Sequence, residues 1–106
     1  MDGMQGKVAE MMEEFGLGQD PQLRMLDLTS EVGELAKEVL KATDYGAHSL
    51  VSTASLEEEL GDCLFSLFCL SQALHFDGEA ALDKVLEKYR RRFAEQGSIG
   101  HISEFR

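Results

Sequence analysis

At 106 residues and 43% hydrophobic composition, the chain is near the common size of one domain and can bury a core of modest size. Its formal net charge of −10, from 20 acidic and 10 basic residues, disfavours non-specific binding to nucleic acid polymers or anionic lipid. It leaves room for a small polyphosphate, because metal ions reverse the local sign. A single proline and no long β-branched run point to an all-α chain.

The first expected helix runs from about Asp2 to Phe15. Met4, Val8, Met11, Met12 and Phe15 recur at helical spacing, as core or as a soft pocket wall. Gly16-Leu-Gly18 ends it. Asp20-Pro21 is a strong start for a second helix, since Asp caps and Pro suits the first helical position. That helix is expected to reach about Asp44, where Tyr45-Gly46 stops it. A polar loop follows to Thr53, and its His48 reads as a loop histidine. Ser55-Leu-Glu-Glu58 reads as a capping box opening the third helix, which gives Glu58 a structural role. Cys63 to Leu70 is apolar nearly all round, the pattern of a buried helix. Cys63 and Cys69 are too far apart on one helix to bridge and read as buried fillers in a reducing compartment. The third helix is expected to end near His75, and Asp77 to cap a fourth from about Gly78 to Ala94. On it, Leu82, Leu86, Tyr89 and Phe93 form an apolar stripe, with Lys84, Lys88 and Arg92 on an adjacent face. Arg90 and Arg91 read as solvated charge or as part of a basic cluster. The tail holds Ile99, Ile102 and Phe105, apolar enough to dock on another subunit or cover a site. No stretch reads as a signal peptide or membrane span, so a cytoplasmic protein with no membrane partner is expected.

Two acidic pairs organise this frame: Glu31-Val-Gly-Glu34 and Glu59-Leu-Gly-Asp62. Residues three apart share one helix face, so each pair presents two carboxylates in one direction. At about 100° per residue, Asp27, Glu31, Glu34 and Glu38 fall within an arc of roughly 60°, at the edge of the apolar stripe Met25, Leu28, Val32, Leu35 and Val39. A plain solvated face would lie opposite the core. Carboxylates beside a core need a partner or a metal. Four oxygen donors from two helices suit Mg²⁺, with Mn²⁺ as a substitute, and Mg²⁺ shares its shell with substrate phosphates. Lysine and arginine on a third helix could grip the other side of a polyphosphate, which makes hydrolysis of a phosphoanhydride the matching chemistry. Spacing alone leaves open a plain bundle with solvated acidic faces.

Leu26-Asp-Leu-Thr-Ser-Glu-Val-Gly-Glu-Leu-Ala-Lys-Glu-Val39 resembles the first motif of MazG-type nucleotide pyrophosphohydrolases. Leu56-Glu-Glu-Glu-Leu-Gly-Asp-Cys-Leu-Phe65 resembles the second, and Lys84-Val-Leu-Glu-Lys-Tyr-Arg-Arg-Arg-Phe93 the basic helix that closes the core. The resemblance covers roughly Met4 to Phe93. It implies a MazG-like four-helix bundle, a single domain over 1–106 with its core at about 4–95 and a tail at 96–106, completed by pairing as a homodimer or homotetramer. It implies a nucleoside triphosphate substrate cleaved between the α and β phosphates, giving monophosphate and pyrophosphate. Glu31, Glu34, Glu59 and Asp62 would be the catalytic, Mg²⁺-binding acids, and Lys88 and Arg92 the phosphate-binding bases. Some members carry a lysine where this chain has Ser55. Phosphoribosyl-ATP pyrophosphohydrolase and a non-catalytic helical partner protein are the alternatives. A di-iron carboxylate bundle needs Glu-x-x-His, which His48, His75 and His101 do not supply. The expected base pocket is apolar, drawing on Met11, Met12, Phe15 or Phe68, with few groups to read a base edge.

Overall fold

The computed structural model describes residues 3–97; Asp2 and the tail carrying Ile99, His101, Ile102 and Phe105 lie outside the described residues. Within them the chain forms four helices and no strand: α1 (Gly3–Phe15), α2 (Pro21–Ala42), α3 (Ala54–Ala73) and α4 (Gly78–Gln96).

Helix ends follow local chemistry. Gly16, at φ 63°, closes α1: its N–H donates to the Glu13 carbonyl while Leu17 N–H donates to that of Met12. This is a Schellman turn, which places glycine in the left-handed position. Asp20 caps α2 by accepting from Gln22 N–H at 2.9 Å, with Pro21 opening the helix. Asp77 caps α4, accepting from both Glu79 and Ala80.

Four boundaries differ from the expectation, one of them the end of α4, which runs to Gln96, two residues past Ala94. α2 stops at Ala42, two residues early, because Asp44, Tyr45 and Gly46 take left-handed conformations in succession. α3 ends at Ala73, with His75 left-handed at φ 63°. The α3 cap is Thr53, not Ser55: Thr53 Oγ1 accepts from Leu56 N–H at 3.1 Å. Ser55 therefore lies inside the first turn. The third residue of the helix is Leu56, so no capping box forms and Glu58 has no capping role.

α3 is the centre of the arrangement. α1, α2 and α4 all pack on it, α4 also touches α1, and α2 meets no helix other than α3. Along α2 and α3 the paired residues rise on one helix as they fall on the other, Asp27 meeting Ser66 and Glu34 meeting Glu59, so the two run antiparallel. The shared core holds Met12, Cys63, Cys69 and Ala73, and both cysteines are free thiols. Gln5 is wholly buried and ties three helices: its Nε2 donates to Phe68 O at 2.9 Å and Gln72 Oε1 at 3.1 Å, and its Oε1 accepts from Gly78 N–H at 2.9 Å.

One chain leaves much apolar surface uncovered. Met25, Leu26, Val32 and Leu40 on α2, Leu60, Leu64 and Leu67 on α3, and Leu82 and Phe93 on α4 are all exposed. The expectation of an α3 buried all round holds only for its Cys63, Ser66, Cys69 and Ala73 stripe. The radius of gyration, 16.7 Å, exceeds the roughly 13 Å of a closed domain of this length.

Candidate metal centre

Glu31 and Glu34 face Glu59 because α2 and α3 are antiparallel and residues three apart share a helix face. Glu31 and Glu34 on α2 and Glu59 on α3 each offer a carboxylate oxygen, and these oxygens all lie within 4.8 Å of one another. Glu31 and Glu59 are half-buried at the helix interface, and Glu34 is exposed. Oε2 of Glu31 and Oε2 of Glu59 are buried with no hydrogen-bond partner among the described residues. Buried carboxylate oxygens without a donor are costly, and two of them in one cluster fit a cation.

The electrostatics agree. Burial raises the Glu31 carboxyl above its ordinary range, helped by the charges of Glu34 and Asp62. Burial does the same to Glu59, again with Glu34 and Asp62 adding repulsion. Cys63, buried beside them, has its thiol pushed up by burial and then by Glu31, Glu59 and Asp62. A set of hard oxygen donors suits Mg²⁺ or Mn²⁺ better than a soft ion.

Asp62 stands apart from the three-carboxylate cluster. Its side chain is exposed, though its charge reaches both Glu31 and Glu59. Lys88 and Arg92 are half-buried on α4, which does not pack against α2. Lys88 Nζ lies 5.3 Å from the Tyr89 ring centroid. Neither base is ion-paired to an acid among the described residues.

A polar row next to the cluster escaped the sequence reading. One turn before Glu31, Asp27 Oδ2 accepts from the buried Ser66 Oγ at 3.3 Å and lies 3.8 Å from Arg24 Nη1. Arg24 Nε in turn donates to Gly18 O at 2.7 Å. Asp27 was visible as part of the acidic arc. The Ser66 contact was not, because it depends on the register between α2 and α3, and the hold of Gly18 O on Arg24 depends on the path of the α1–α2 loop.

Comparison with known proteins agrees with this geometry. Residues 19–95 match the model of the MazG nucleotide pyrophosphohydrolase domain. The chain is 38% identical over 96 residues to the uncharacterized protein YpjD of Bacillus subtilis, covering 87% of this chain and 85% of that one. The crystal structure of YpjD from Bacillus subtilis, described there as a candidate pyrophosphatase, superposes with a TM-score of 0.67 at 39% identity, over 84% of this chain and 91% of that one. The nucleoside triphosphate pyrophosphohydrolase of Escherichia coli K12 is 38% identical over 64 residues, which is 60% of this chain and only 24% of that protein. The acids that the two helices bring together lie inside the matched region, on an all-helical frame shared with a relative. The chain belongs to the MazG nucleotide pyrophosphohydrolase family.

Proposed function

We propose that this protein is a Mg²⁺-dependent nucleoside triphosphate pyrophosphohydrolase that cleaves the α–β phosphoanhydride, releasing monophosphate and pyrophosphate. The observation that carries the reading is the pair of buried, unpartnered oxygens of Glu31 and Glu59 within a three-carboxylate cluster. Glu31, Glu34 and Glu59 would hold the cation, with Asp62 completing the set. Bound there, the ion supplies charge neutralisation and orients the phosphates.

The remaining chemistry belongs to the chain. A carboxylate oxygen left free of the cation takes the proton of a water whose oxygen bonds to the α-phosphorus. The bond from that phosphorus to the bridging oxygen breaks, and pyrophosphate leaves. Lys88 and Arg92 bind the phosphates from α4. The exposed apolar faces of α2 and α3 support self-association as a homodimer or homotetramer, with a second copy covering what α3 leaves bare. A cytoplasmic house-cleaning role on non-canonical nucleotides would suit that activity; separately, among the described residues no helix is long and apolar enough to cross a membrane.

The test is product identity by phosphorus NMR, with Mg²⁺, over canonical and damaged nucleoside triphosphates and phosphoribosyl-ATP. Monophosphate plus pyrophosphate from a triphosphate, lost in Asp62→Asn, supports the reading. Turnover of phosphoribosyl-ATP alone would replace the substrate. Diphosphate plus inorganic phosphate would contradict the site of cleavage.

A further inference from the structure

Arg24 and Asp27 line a concavity of about 380 Å³ together with Gly18, Asp20 and Leu23, and the buried Ser66 donates to Asp27 from behind. We propose that this concavity seats the sugar of the bound nucleotide, with Asp27 accepting hydrogen bonds from its hydroxyls. The proposal rests on the pyrophosphohydrolase reading and assigns a sugar-reading residue to the same site.

Position comes first. Asp27 precedes Glu31 by four residues, so it lies about one turn along the same face, about 6 Å along the helix axis from Glu31. The sugar is the part of a nucleotide joined directly to the α-phosphate through O5′. A nucleotide whose phosphates meet Glu31, Glu34 and Glu59 and which runs toward the start of α2 places its sugar at this level.

Chemistry then selects the occupant. Asp20 and Asp27 flank the single cation Arg24, and that cation is engaged by Gly18 O and Asp27. Two carboxylates around one committed guanidinium repel a phosphate. They suit a neutral group rich in donors. Asp27 is also held away from the metal: Ser66 and Arg24 both take its Oδ2, and it is outside the group of carboxylates that converge within 4.8 Å. Its Oδ1 has no partner among the described residues, and the side chain is 49% exposed, so one acceptor is fixed in direction and open to a ligand. Leu23, also exposed, gives an apolar wall for a sugar face. A carboxylate oriented by its neighbours is a common partner for ribose hydroxyls.

The experiment is titration calorimetry in Mg²⁺ with three monophosphates of one base, carrying ribose, 2′-deoxyribose or 2′,3′-dideoxyribose. The wild-type protein is expected to lose about tenfold in affinity from ribose to dideoxyribose, the range of one hydrogen bond to a charged group. Asp27→Ala is expected to weaken the ribose form by that factor and leave the dideoxy form unchanged. Asp27→Asn, which can keep the Ser66 contact, guards against a folding defect and should lose part of the preference. Equal wild-type affinity for the three sugars would overturn the proposal, as would an equal loss on all three in Asp27→Ala. Turnover of the matching triphosphates runs alongside. If none is hydrolysed yet the sugar preference holds, the reaction is wrong and the sugar site stands. If they are hydrolysed and neither binding nor turnover responds to the sugar, the sugar site alone fails.

Discussion

Replacing Gln5 by alanine should unfold the protein more readily than any surface change, although Gln5 lies outside the acidic cluster. The side chain is wholly buried and makes three hydrogen bonds, to Phe68 O, Gln72 Oε1 and Gly78 N–H. Gly78 is the first residue of α4, so its N–H has no intrahelical acceptor and depends on Gln5. Leaving that donor buried and unmet costs about 1–3 kcal/mol. The space left by the shortened side chain adds about 1 kcal/mol more, by analogy with other buried truncations. A total near 3 kcal/mol is a large share of the roughly 5–15 kcal/mol that holds a domain together. For a chain of this size it corresponds to a fall in Tm of about 10 °C or more. The assay is urea and thermal unfolding by circular dichroism at fixed protein concentration, since association would shift both. Gln5→Leu, which refills the space but makes no hydrogen bonds, should lose about 1–3 kcal/mol, less than alanine. A loss below about 0.5 kcal/mol in Gln5→Ala would refute the view that this residue fastens α1 and α4 to α3.

Other outcomes follow from particular contacts. Gly78→Ala should cost about 1–3 kcal/mol, because a Cβ there would lie 2.9 Å from Ser71 Oγ, 3.0 Å from the Phe68 ring and 3.1 Å from Gln5 Oε1; denaturant titration checks it. Thr53→Ala should lose about 1 kcal/mol and Ser55→Ala almost nothing, a contrast that separates the observed cap from the expected one. The raised carboxyls of Glu31 and Glu59 set a pH dependence. With folded pKa values above the unfolded 4.5, these groups bind more protons in the folded state between the two values. In EDTA their contribution therefore grows as pH falls from neutral toward 4.5 and is lost as pH rises through the folded values. Mg²⁺ needs the ionised forms, so its stabilisation should shrink as the pH falls through the same window. Paired melts in EDTA and Mg²⁺, with Glu31→Gln reducing the difference, measure both signs. Sedimentation velocity should show no monomer at micromolar concentration, because α2 meets only α3 within one chain.

What could be read in advance was what local rules determine. Asp20-Pro21, Gly16 and Asp77 each carry a single strong end signal, and all three act as expected. The start of α3 offered two competing hydroxyl residues, Thr53 and Ser55. The capping-box spacing favoured Ser55, but Thr53 caps instead, with extended backbone and a hydroxyl oriented toward Leu56 N–H. The acidic cluster was legible because the helical period fixes which carboxylates share a face. The distance across to the next helix has no such local signal, and Asp62 accordingly stands outside the close group. The contact from Ser66 to Asp27 was hidden for the same reason, since residues 27 and 66 meet only through the antiparallel register; the Arg24–Asp27 pair follows from the helical period of α2. The all-round apolar pattern of the third helix signals more apolar surface than one small chain can cover, and Leu60, Leu64 and Leu67 are exposed accordingly.

The most direct test of the central claim is pyrophosphate release from a nucleoside triphosphate panel, measured for wild-type and Glu59→Gln protein in Mg²⁺ and in EDTA. Release is expected from the wild type in Mg²⁺ alone, with a fall of at least about a hundredfold in Glu59→Gln and the fold intact. Release that persists in EDTA, or a fully active Glu59→Gln, would contradict the assignment of this cluster as the metal-dependent catalytic centre.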